Sequence, residues 1–233
     1  MSDFEVNLSA IKVMVAMPVH RDISAYTTVS LIESQNLLLG KYGVGINFQV
    51  QLGSSLINAA RSKCAHKFLE SDSTVLFWID SDIYWSANDF IRMIALSTKM
   101  DVLGGAYTTK TEPPKFAIKH KAGQALIPNE YGCIPVEGLG LGFTIVNRHV
   151  IEKLSERAPR GYLPDPDLKG EPIPQIFRIE YKNGKMRGED IGFFDDCKEL
   201  GIQPWLDPSI GLGHVGTKIY AGNFDDYLKP KDS

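Results

Sequence analysis

The most constraining feature of the sequence is a regular alternation of strand-like and helix-like segments in its first half. Short apolar runs rich in β-branched and aromatic residues predict buried strands at residues 11–17, 46–52, 74–79 and 102–107. Helical patterns lie between them at residues 26–39, 56–69 and, after a cap at 86–89, up to residue 96. The order β-α-β-α-β-α-β predicts an α/β protein with a mostly parallel central sheet and helices on both faces.

Single residues fix several of the predicted element ends. Pro18 should stop the first strand, and Gly40 should stop the first helix. The second half is less regular, with a strand predicted at 144–147, a helix at 188–200 before Gly201, and a last strand at 202–206. The proline-rich segment 158–175 reads as a long loop of the kind that often contributes to binding. The polar tail from Asp225 should fray.

Composition and charge limit the class of protein. A chain of 233 residues that is 43% hydrophobic and 23% charged suits one domain with a packed core. A net charge of −3 gives no general attraction to nucleic acid or to anionic membranes. Cys64, Cys133 and Cys197 show no paired spacing and are expected to be reduced thiols. No targeting segment or membrane span is apparent, which favours a soluble, cytoplasmic protein.

An apolar run stops abruptly at two aspartates in the stretch FWIDSDIYW, residues 77–85. Asp80 and Asp82 follow a predicted strand, and α/β sheets bind ligands beyond the carboxyl ends of their strands. A hard divalent cation, Mg²⁺ or Mn²⁺, would relieve the repulsion between the two carboxylates and keep positions open for a phosphate. The alternative is a turn in which both side chains accept hydrogen bonds from backbone amides.

Several short motifs, in their order along the chain, resemble those of GT-A type glycosyltransferases. They are Val15–Pro18, Ala60–Ser62, Phe77–Asp82, Val102–Gly105 with Tyr107, Gly138–Phe143, Gly188–Asp190 and Gly211–His214. The overall pattern is most similar to compact glycosyltransferase domains of bacteriophages and large viruses, and more loosely to inverting family-2 enzymes. The resemblance spans residues 11–224 and implies a Rossmann-like fold and hexosyl transfer from a nucleoside-diphosphate sugar, with UDP- or GDP-sugars expected. In a virus, the site of action would be the host cytoplasm.

The resemblance also implies roles for particular residues. Asp80, Asp82 and His214 would bind the metal, with ribose binding as the alternative role of Asp80. Further contacts to the nucleotide sugar are expected from Pro18, Arg21, Asn58, Arg61 and Ser81, and less strongly from His20. Arg61 would pair with phosphate, its ordinary alternative being a charge on the helix surface. Lys63 shares that helix, and Ser62 stands where many relatives have asparagine.

The second half of the chain should supply the general base and the acceptor site. In inverting relatives a Glu-Asp pair opens a helix at this point, which implies Asp190 as the base and Glu189 as the runner-up. The helix dipole alone also favours acids there. The predicted acceptor-binding residues are Gly138, Gly140, Phe143 and Tyr107, with Trp85 and Trp205 as further candidates for stacking on sugars. Asp195 and Asp196, further along the helix, are expected to be solvated charges.

This interpretation divides the single domain into a nucleotide-sugar half, residues 1–110, an acceptor and catalytic half, residues 111–224, and a tail, residues 225–233. The acceptor would be a glycan or another hydroxyl compound. Two other classes stay open. A sugar-phosphate nucleotidyltransferase would use similar acids, but its first loop is usually rich in glycine, whereas here it reads PVHRDI. A non-catalytic nucleotide- or carbohydrate-binding module is the other alternative.

Overall fold

The computed structural model describes residues 5–113, 115–120, 123, 125–182 and 184–228. Within these ranges, six α-helices and sixteen mostly short strands form one α/β domain. The helices are α1 Ala25–Tyr42, α2 Ile57–Glu70, α3 Ala87–Leu96, α4 Arg148–Arg157, α5 Glu189–Glu199 and α6 Phe224–Leu228. The strands are β1 Val13–Val19, β2 Ile46–Leu52, β3 Val75–Ile79, β4 Ile83–Tyr84, β5 Val102–Gly105, β6 Ile118–Lys119, β7 Ile134–Pro135, β8 Gly138–Leu139, β9 Phe143–Asn147, β10 Arg160–Gly161, β11 Ile173–Pro174, β12 Glu180–Lys182, β13 Lys185–Arg187, β14 Pro204–Asp207, β15 Leu212–Val215 and β16 Ile219–Gly222.

The central sheet has seven strands in the order β2-β1-β3-β9-β5-β14-β7. β1 is parallel to β2 and β3, and β14 is parallel to β5. The predicted mostly parallel α/β sheet is therefore confirmed. However, β3 and β5 are not neighbours, because β9 from the second half lies between them and is antiparallel to both. The two halves of the sequence thus share one sheet.

Apolar side chains of alternate strand residues point to opposite faces of the sheet, and helices cover both faces. Met14 and Trp78 belong to a buried cluster with residues of α2, α4 and α5. Val15 and Phe77 belong to a second cluster with residues of α1 and α3. Strands buried on both faces explain why the predicted strand 74–79 reads as a continuous apolar run.

Pro18 does not end β1, contrary to the prediction. The strand continues to Val19, and Pro18 pairs in register with Gln51 of β2. Pairing with β3 extends only to Ala16, so the backbone nitrogen of Pro18 lies where β1 has a neighbour on one side only. A proline is tolerated there because it removes no hydrogen bond that the sheet needs.

The first helix also continues past its predicted stop. Gly40 lies inside α1, and the helix ends at Gly43, whose φ of 68° is in the left-handed region. Glycine adopts this conformation at low cost, so Gly43 is the residue that ends the helix. The helical spacing of this segment comes from Val29, Ile32 and Leu37. However, Val29 and Ile32 are exposed, and the buried face carries Thr27, Ser30, Ser34 and Leu38.

The less regular second half holds more structure than the sequence pattern indicates. The helix predicted at 188–200 is α5, and the last predicted strand is β14, shifted to 204–207. The proline-rich loop 158–175 contains the antiparallel pair β10 and β11. The tail does not fray from Asp225, because residues 224–228 form α6 and Phe224 packs in the core. Residues 229–233 lie outside the described part of the chain.

Candidate functional site

A cavity of about 450 Å³ lies at the carboxyl ends of β1 and β3. It is lined by Pro18, Val19, His20, Ser54, Ser55, Ile57, Arg61, Asp80, Ser81, Asp82, Tyr107, Leu141, Glu189, Asp190 and His214. Segments separated by more than a hundred residues therefore meet at one edge of the sheet. Most of the predicted metal, nucleotide and base residues are brought together here.

Asp82 and His214 lie side by side in the cavity lining. His214 Nε2 lies 3.4 Å from Asp82 Oδ1, and His214 Nδ1 lies 2.8 Å from the carbonyl oxygen of Thr108. Since a carbonyl only accepts, Nδ1 carries a hydrogen. Nε2 faces the carboxylate, so the gap between these two atoms suits a shared proton or a bound cation. Strand pairing fixes the position of His214, because β15 pairs with β4 and places His214 opposite Ile83.

Lys110 is a member of the site that the sequence did not reveal. Its Nζ lies 2.5 Å from Asp82 Oδ2 and so occupies the carboxylate oxygen that does not face His214. Burial by itself would raise the pKa of Asp82, but the hydrogen bonds and charges of His214 and Lys110 outweigh it, so the pKa is lowered. The carboxylate is therefore held ionised. Lys110 belongs to no recognisable sequence motif, and only the fold brings its ammonium group to Asp82.

Asp80 has a different partner. Arg61 Nη2 donates a hydrogen bond of 2.8 Å to Asp80 Oδ1, and Arg61 Nε lies 3.5 Å from Glu189 Oε1. The Arg61 guanidinium thus connects Asp80, which follows β3, to Glu189, the first residue of α5. Arg61 was predicted to be a phosphate ligand or a surface charge, but its side chain is only 4% exposed and its charge is taken up by the two acids.

The burial of Arg61 has an electrostatic consequence. Desolvation would lower the pKa of the guanidinium, but the charges of Asp80 and Glu189 raise it, and the second effect prevails. Arg61 therefore stays charged inside the protein, 5.4 Å from the centre of the Trp78 ring. Its Nη1 and Nε atoms are buried and make no hydrogen bond within the described residues, although Nε lies 3.5 Å from a Glu189 carboxylate oxygen.

Tyr107, Gly140 and Gly142 pack tightly beside Asp80. The backbone nitrogen of Gly142 donates to the Tyr107 hydroxyl at 3.3 Å, and the nitrogen of Asp80 donates to the carbonyl of Gly142 at 3.0 Å. A Cβ atom on Gly140 would lie 2.1 Å from the Tyr107 hydroxyl, and one on Gly142 would lie 2.7 Å from Asp80 Oδ2. Burial and the Asp80 charge raise the pKa of Tyr107, which keeps its hydroxyl neutral.

Asp190 stands between this cavity and a second, smaller one. The second cavity, of about 220 Å³, is bordered by β6, β8 and α5 and includes Gly138, Gly140 and Asp190 in its lining. One Asp190 oxygen accepts from the backbone nitrogen of Ile191 at 2.7 Å. Asp190 therefore faces two neighbouring spaces, whereas Glu189 is held by Arg61.

Several predicted residues lie elsewhere. Phe143 is fully buried and packs against Phe77 and Trp85, so neither Phe143 nor Trp85 lines the acceptor side. Trp205 is paired within the sheet and packs on the core. Arg21 and Asn58 do not line either cavity.

Asp195 and Asp196 are not the solvated charges that the sequence predicted. Arg187 Nε lies 3.1 Å from Asp195 Oδ2, and Arg187 Nη2 lies 3.0 Å from Asp196 Oδ1. Arg178 adds a second contact of 3.0 Å to Asp196. These ion pairs tie the hairpin of β12 and β13 to α5 and so brace the helix that presents Asp190.

The metal site predicted from three side chains is not assembled as such. Within the part of the chain that the structure describes, no group of three or more His, Cys, Asp or Glu side chains is arranged to hold a metal ion. Asp82 and His214 are adjacent, but Asp80 is engaged by Arg61. None of the helices among the described residues is both long enough and apolar enough to span a membrane.

The fold and the cavity define a Rossmann-like α/β protein with an acidic site at the strand ends. Among solved structures, the chain is similar to A197 from STIV, with a TM-score of 0.59 and 20% identity over 91% of this chain and 95% of that one. It is also similar to GalNAc-T7 crystallised with UDP, GalNAc and Mn²⁺, with a TM-score of 0.53 and 13% identity over 89% of this chain and 44% of that one. No model of a known protein family matches the sequence, and no curated protein matches it. These similarities establish the fold.

Proposed function

We propose that the protein is a metal-dependent glycosyltransferase that moves a sugar from a nucleoside diphosphate to an acceptor hydroxyl with inversion. The observation that carries the proposal is the single cavity in which Asp82 and His214 lie near Asp190. The similarity in fold to GalNAc-T7, whose crystals held UDP, GalNAc and Mn²⁺, supports the proposed class of donor. UDP- and GDP-sugars are the donors to test first.

Asp82 and His214 fit two ligands of a divalent cation. Their facing atoms are 3.4 Å apart, a separation suited to adjacent ligands of one small ion. The hydrogen bond from Nδ1 to the Thr108 carbonyl is the outer contact that metal-binding histidines usually make. An imidazole ligand favours Mn²⁺ over Mg²⁺. When bound, the cation would supply charge neutralisation for the departing diphosphate.

The side chains around this pair would position the donor. Pro18 and Ser81 line the cavity beside Ser54 and Ser55, so the nucleoside is proposed to lie between the ends of β1 and β2. Arg61 acts through Asp80 and Glu189 by holding both acids in place. The donor half, residues 1–110, and the acceptor half, residues 111–224, both contribute to this one cavity.

Asp190 is proposed as the general base. It borders both cavities, so it can take a proton from an acceptor hydroxyl in the smaller cavity while a sugar is held in the larger one. Glu189 is less suited, since its carboxylate is engaged by Arg61 at 3.5 Å and it does not line the smaller cavity. The proposed acceptor contacts are Gly138, Gly140 and Tyr107. Attack from this side, opposite the diphosphate, would invert the configuration of the sugar.

Donor hydrolysis tests the proposed class of reaction. The protein is incubated with a panel of nucleotide sugars and Mn²⁺, and release of nucleoside diphosphate is measured. Release that EDTA abolishes supports the proposal. Formation of pyrophosphate from a nucleoside triphosphate and a sugar phosphate would instead identify a nucleotidyltransferase. Donor binding without turnover, across a panel of acceptors, would identify a binding module.

Two substitutions test the assigned roles. Asp190→Asn should abolish transfer and leave donor affinity nearly unchanged, and Glu156→Gln, an exposed change on α4, is its control. His214→Gln should weaken Mn²⁺ binding about tenfold or more in calorimetry. If Asp190→Asn weakens donor binding instead, that residue has been misassigned. If the wild-type protein takes up no Mn²⁺ with or without UDP or GDP, the metal-dependent mechanism is wrong.

A further inference from the structure

The outer side of α1 is unusually apolar for a helix on a protein surface. Tyr26, Val29, Ile32 and Leu39 are each exposed by 51–55%. Large exposed apolar patches on soluble domains mark contact sites, whereas scattered single residues do not. Four such residues on one helix therefore call for a covering surface.

The neighbouring strand β2 continues this patch. Phe48, Val50 and Leu52 are 42%, 36% and 66% exposed. Their register partners in β1 include Val15, whose side chain lies in the core cluster under α1, so these three side chains are on the α1 face of the sheet. Gln35 of α1 accepts a hydrogen bond from the backbone nitrogen of Ile46, which places the helix directly beside the strand.

β2 is also an edge strand among the described residues, with β1 on one side and no strand on the other. An edge strand leaves a row of backbone donors and acceptors unpaired, and proteins usually guard such edges with charges, prolines or bulges. β2 reads INFQVQL and carries none of these guards. Its outer edge is therefore suited to pairing with another strand.

Charge distinguishes this surface from the rest of the protein. Glu33 and Lys41 are the only Asp, Glu, Lys or Arg residues in α1 and β2, although 23% of the whole chain is charged. Depletion of charged residues is characteristic of the buried centre of protein interfaces.

We infer that β2 and α1 form a dimer interface in which the β2 strands of two copies pair antiparallel across a two-fold axis. The β2 sequence is self-complementary in this arrangement. With Gln49 on the axis, Phe48 lies opposite Val50 of the second copy, and Asn47 lies opposite Gln51. Apolar pairs then share the α1 face, and amide pairs share the other face.

A second copy fits this surface better than a lipid bilayer does. The unpaired backbone groups of β2 would lose their water in hydrocarbon without gaining partners, at a high energetic cost. The helix also has no row of Lys or Arg side chains of the kind that draws amphipathic helices to anionic lipids. Strand pairing satisfies the backbone groups and places the apolar side chains of β2 against those of the second copy at the same time.

Sedimentation velocity over a wide concentration range tests the inference, which does not depend on the proposed activity. The wild-type protein should sediment with twice the chain mass of 25.9 kDa. Val50→Lys places a charge against the partner's apolar pairs and should give the monomer mass. Tyr181→Lys, a change at a 77% exposed residue on a different hairpin, is the matched control and should stay dimeric. Circular dichroism checks that both variants fold.

A cross-link tests the predicted axis. Gln49→Cys should form a covalent dimer with a short bismaleimide, because the three native cysteines are fully buried and the new thiols meet at the two-fold. Tyr181→Cys should not. A wild-type monomer at all concentrations, or a dimer that Val50→Lys leaves intact, would overturn the inference. So would a monomer that floats with phosphatidylcholine and phosphatidylglycerol vesicles, since this result would assign the patch to a membrane.

Discussion

Arg61→Met is the substitution that best tests how the cavity is held together. Methionine keeps most of the hydrocarbon volume of the arginine side chain and removes its charge. Asp80 then loses a hydrogen bond of 2.8 Å, and Glu189 loses the guanidinium at 3.5 Å. Both acids are left largely buried, with 27% and 15% of their side chains exposed.

The size of the effect follows from this burial. Removing one partner of a buried ion pair typically costs about 3–5 kcal/mol, because the remaining charge is left without compensation. Asp80 keeps some contact with the cavity and its water, so we expect a loss near the lower limit, about 3 kcal/mol of unfolding free energy. For a chain of this length, such a loss lowers Tm by roughly 6–12 °C.

Urea unfolding followed by circular dichroism measures this loss. Lys67→Met is the matched control on the same helix, because Lys67 pairs with Glu70 at 3.0 Å in an exposed position. The control should lose less than about 0.5 kcal/mol. A loss for Arg61→Met no larger than that of the control would refute the view that this guanidinium organises the site.

A double-mutant cycle separates the ion pair from simple packing. Asp80→Asn alone removes the carboxylate that Arg61 contacts, and the double variant Arg61→Met with Asp80→Asn removes both charges. We expect the two losses to be non-additive by about 1–2 kcal/mol, because the double variant leaves one uncompensated charge fewer. Additive losses would show that the two side chains do not act together.

Three further predictions concern packing and reactivity. Gly140→Ala should cost about 1–3 kcal/mol in urea unfolding, because its Cβ would overlap the Tyr107 hydroxyl, whereas Gly211→Ala faces open space and should be neutral. Gly40→Ala should stabilise the protein by about 0.5–1 kcal/mol, since Gly40 is inside α1. Gly43→Ala should destabilise the protein, because the backbone of Gly43 has a positive φ. Equal effects of the two substitutions would contradict the helix boundary. The thiols of Cys64, Cys133 and Cys197 should resist Ellman's reagent at pH 8 until guanidinium unfolds the chain. Burial raises the pKa of each thiol, to about 12 for Cys64 and Cys133. Reaction of these thiols in the folded protein would contradict this prediction.

Local patterns predicted the parallel sheet and the position of the acids, because both depend on short-range order. A strand that ends directly before Asp80 must place that residue at the sheet edge where β1 also ends. His214 is different, since it reaches Asp82 only through the pairing of β15 with β4. Each of these strands is short, and no local signal joins them. The resemblance to a family, and not the residue pattern, indicated His214.

The buried face of α1 shows why apolar periodicity can indicate a helix and still select the wrong face. Thr27 donates a hydrogen bond of 2.6 Å to the carbonyl of Ile83, and Ser30 donates one of 2.8 Å to the carbonyl of Trp85. Ser34 accepts one of 2.9 Å from the Trp85 indole. The short segment 83–85 needs these hydroxyls to satisfy its polar groups, so they occupy the buried face and leave Val29 and Ile32 facing outward.

The two aspartates of the strand end are neutralised separately, Asp80 by Arg61 and Asp82 by Lys110. A divalent cation at Asp82 must therefore compete with the Lys110 ammonium for the same carboxylate. Lys110→Met should raise Mn²⁺ affinity about two- to fivefold in calorimetry without nucleotide, since the ion pair is partly exposed and worth at most about 1 kcal/mol. Lys12→Met, which removes an exposed and distant ion pair with Asp72, should leave Mn²⁺ affinity unchanged. A weaker affinity in the Lys110 variant would mean that this lysine supports the cation site and does not compete with it.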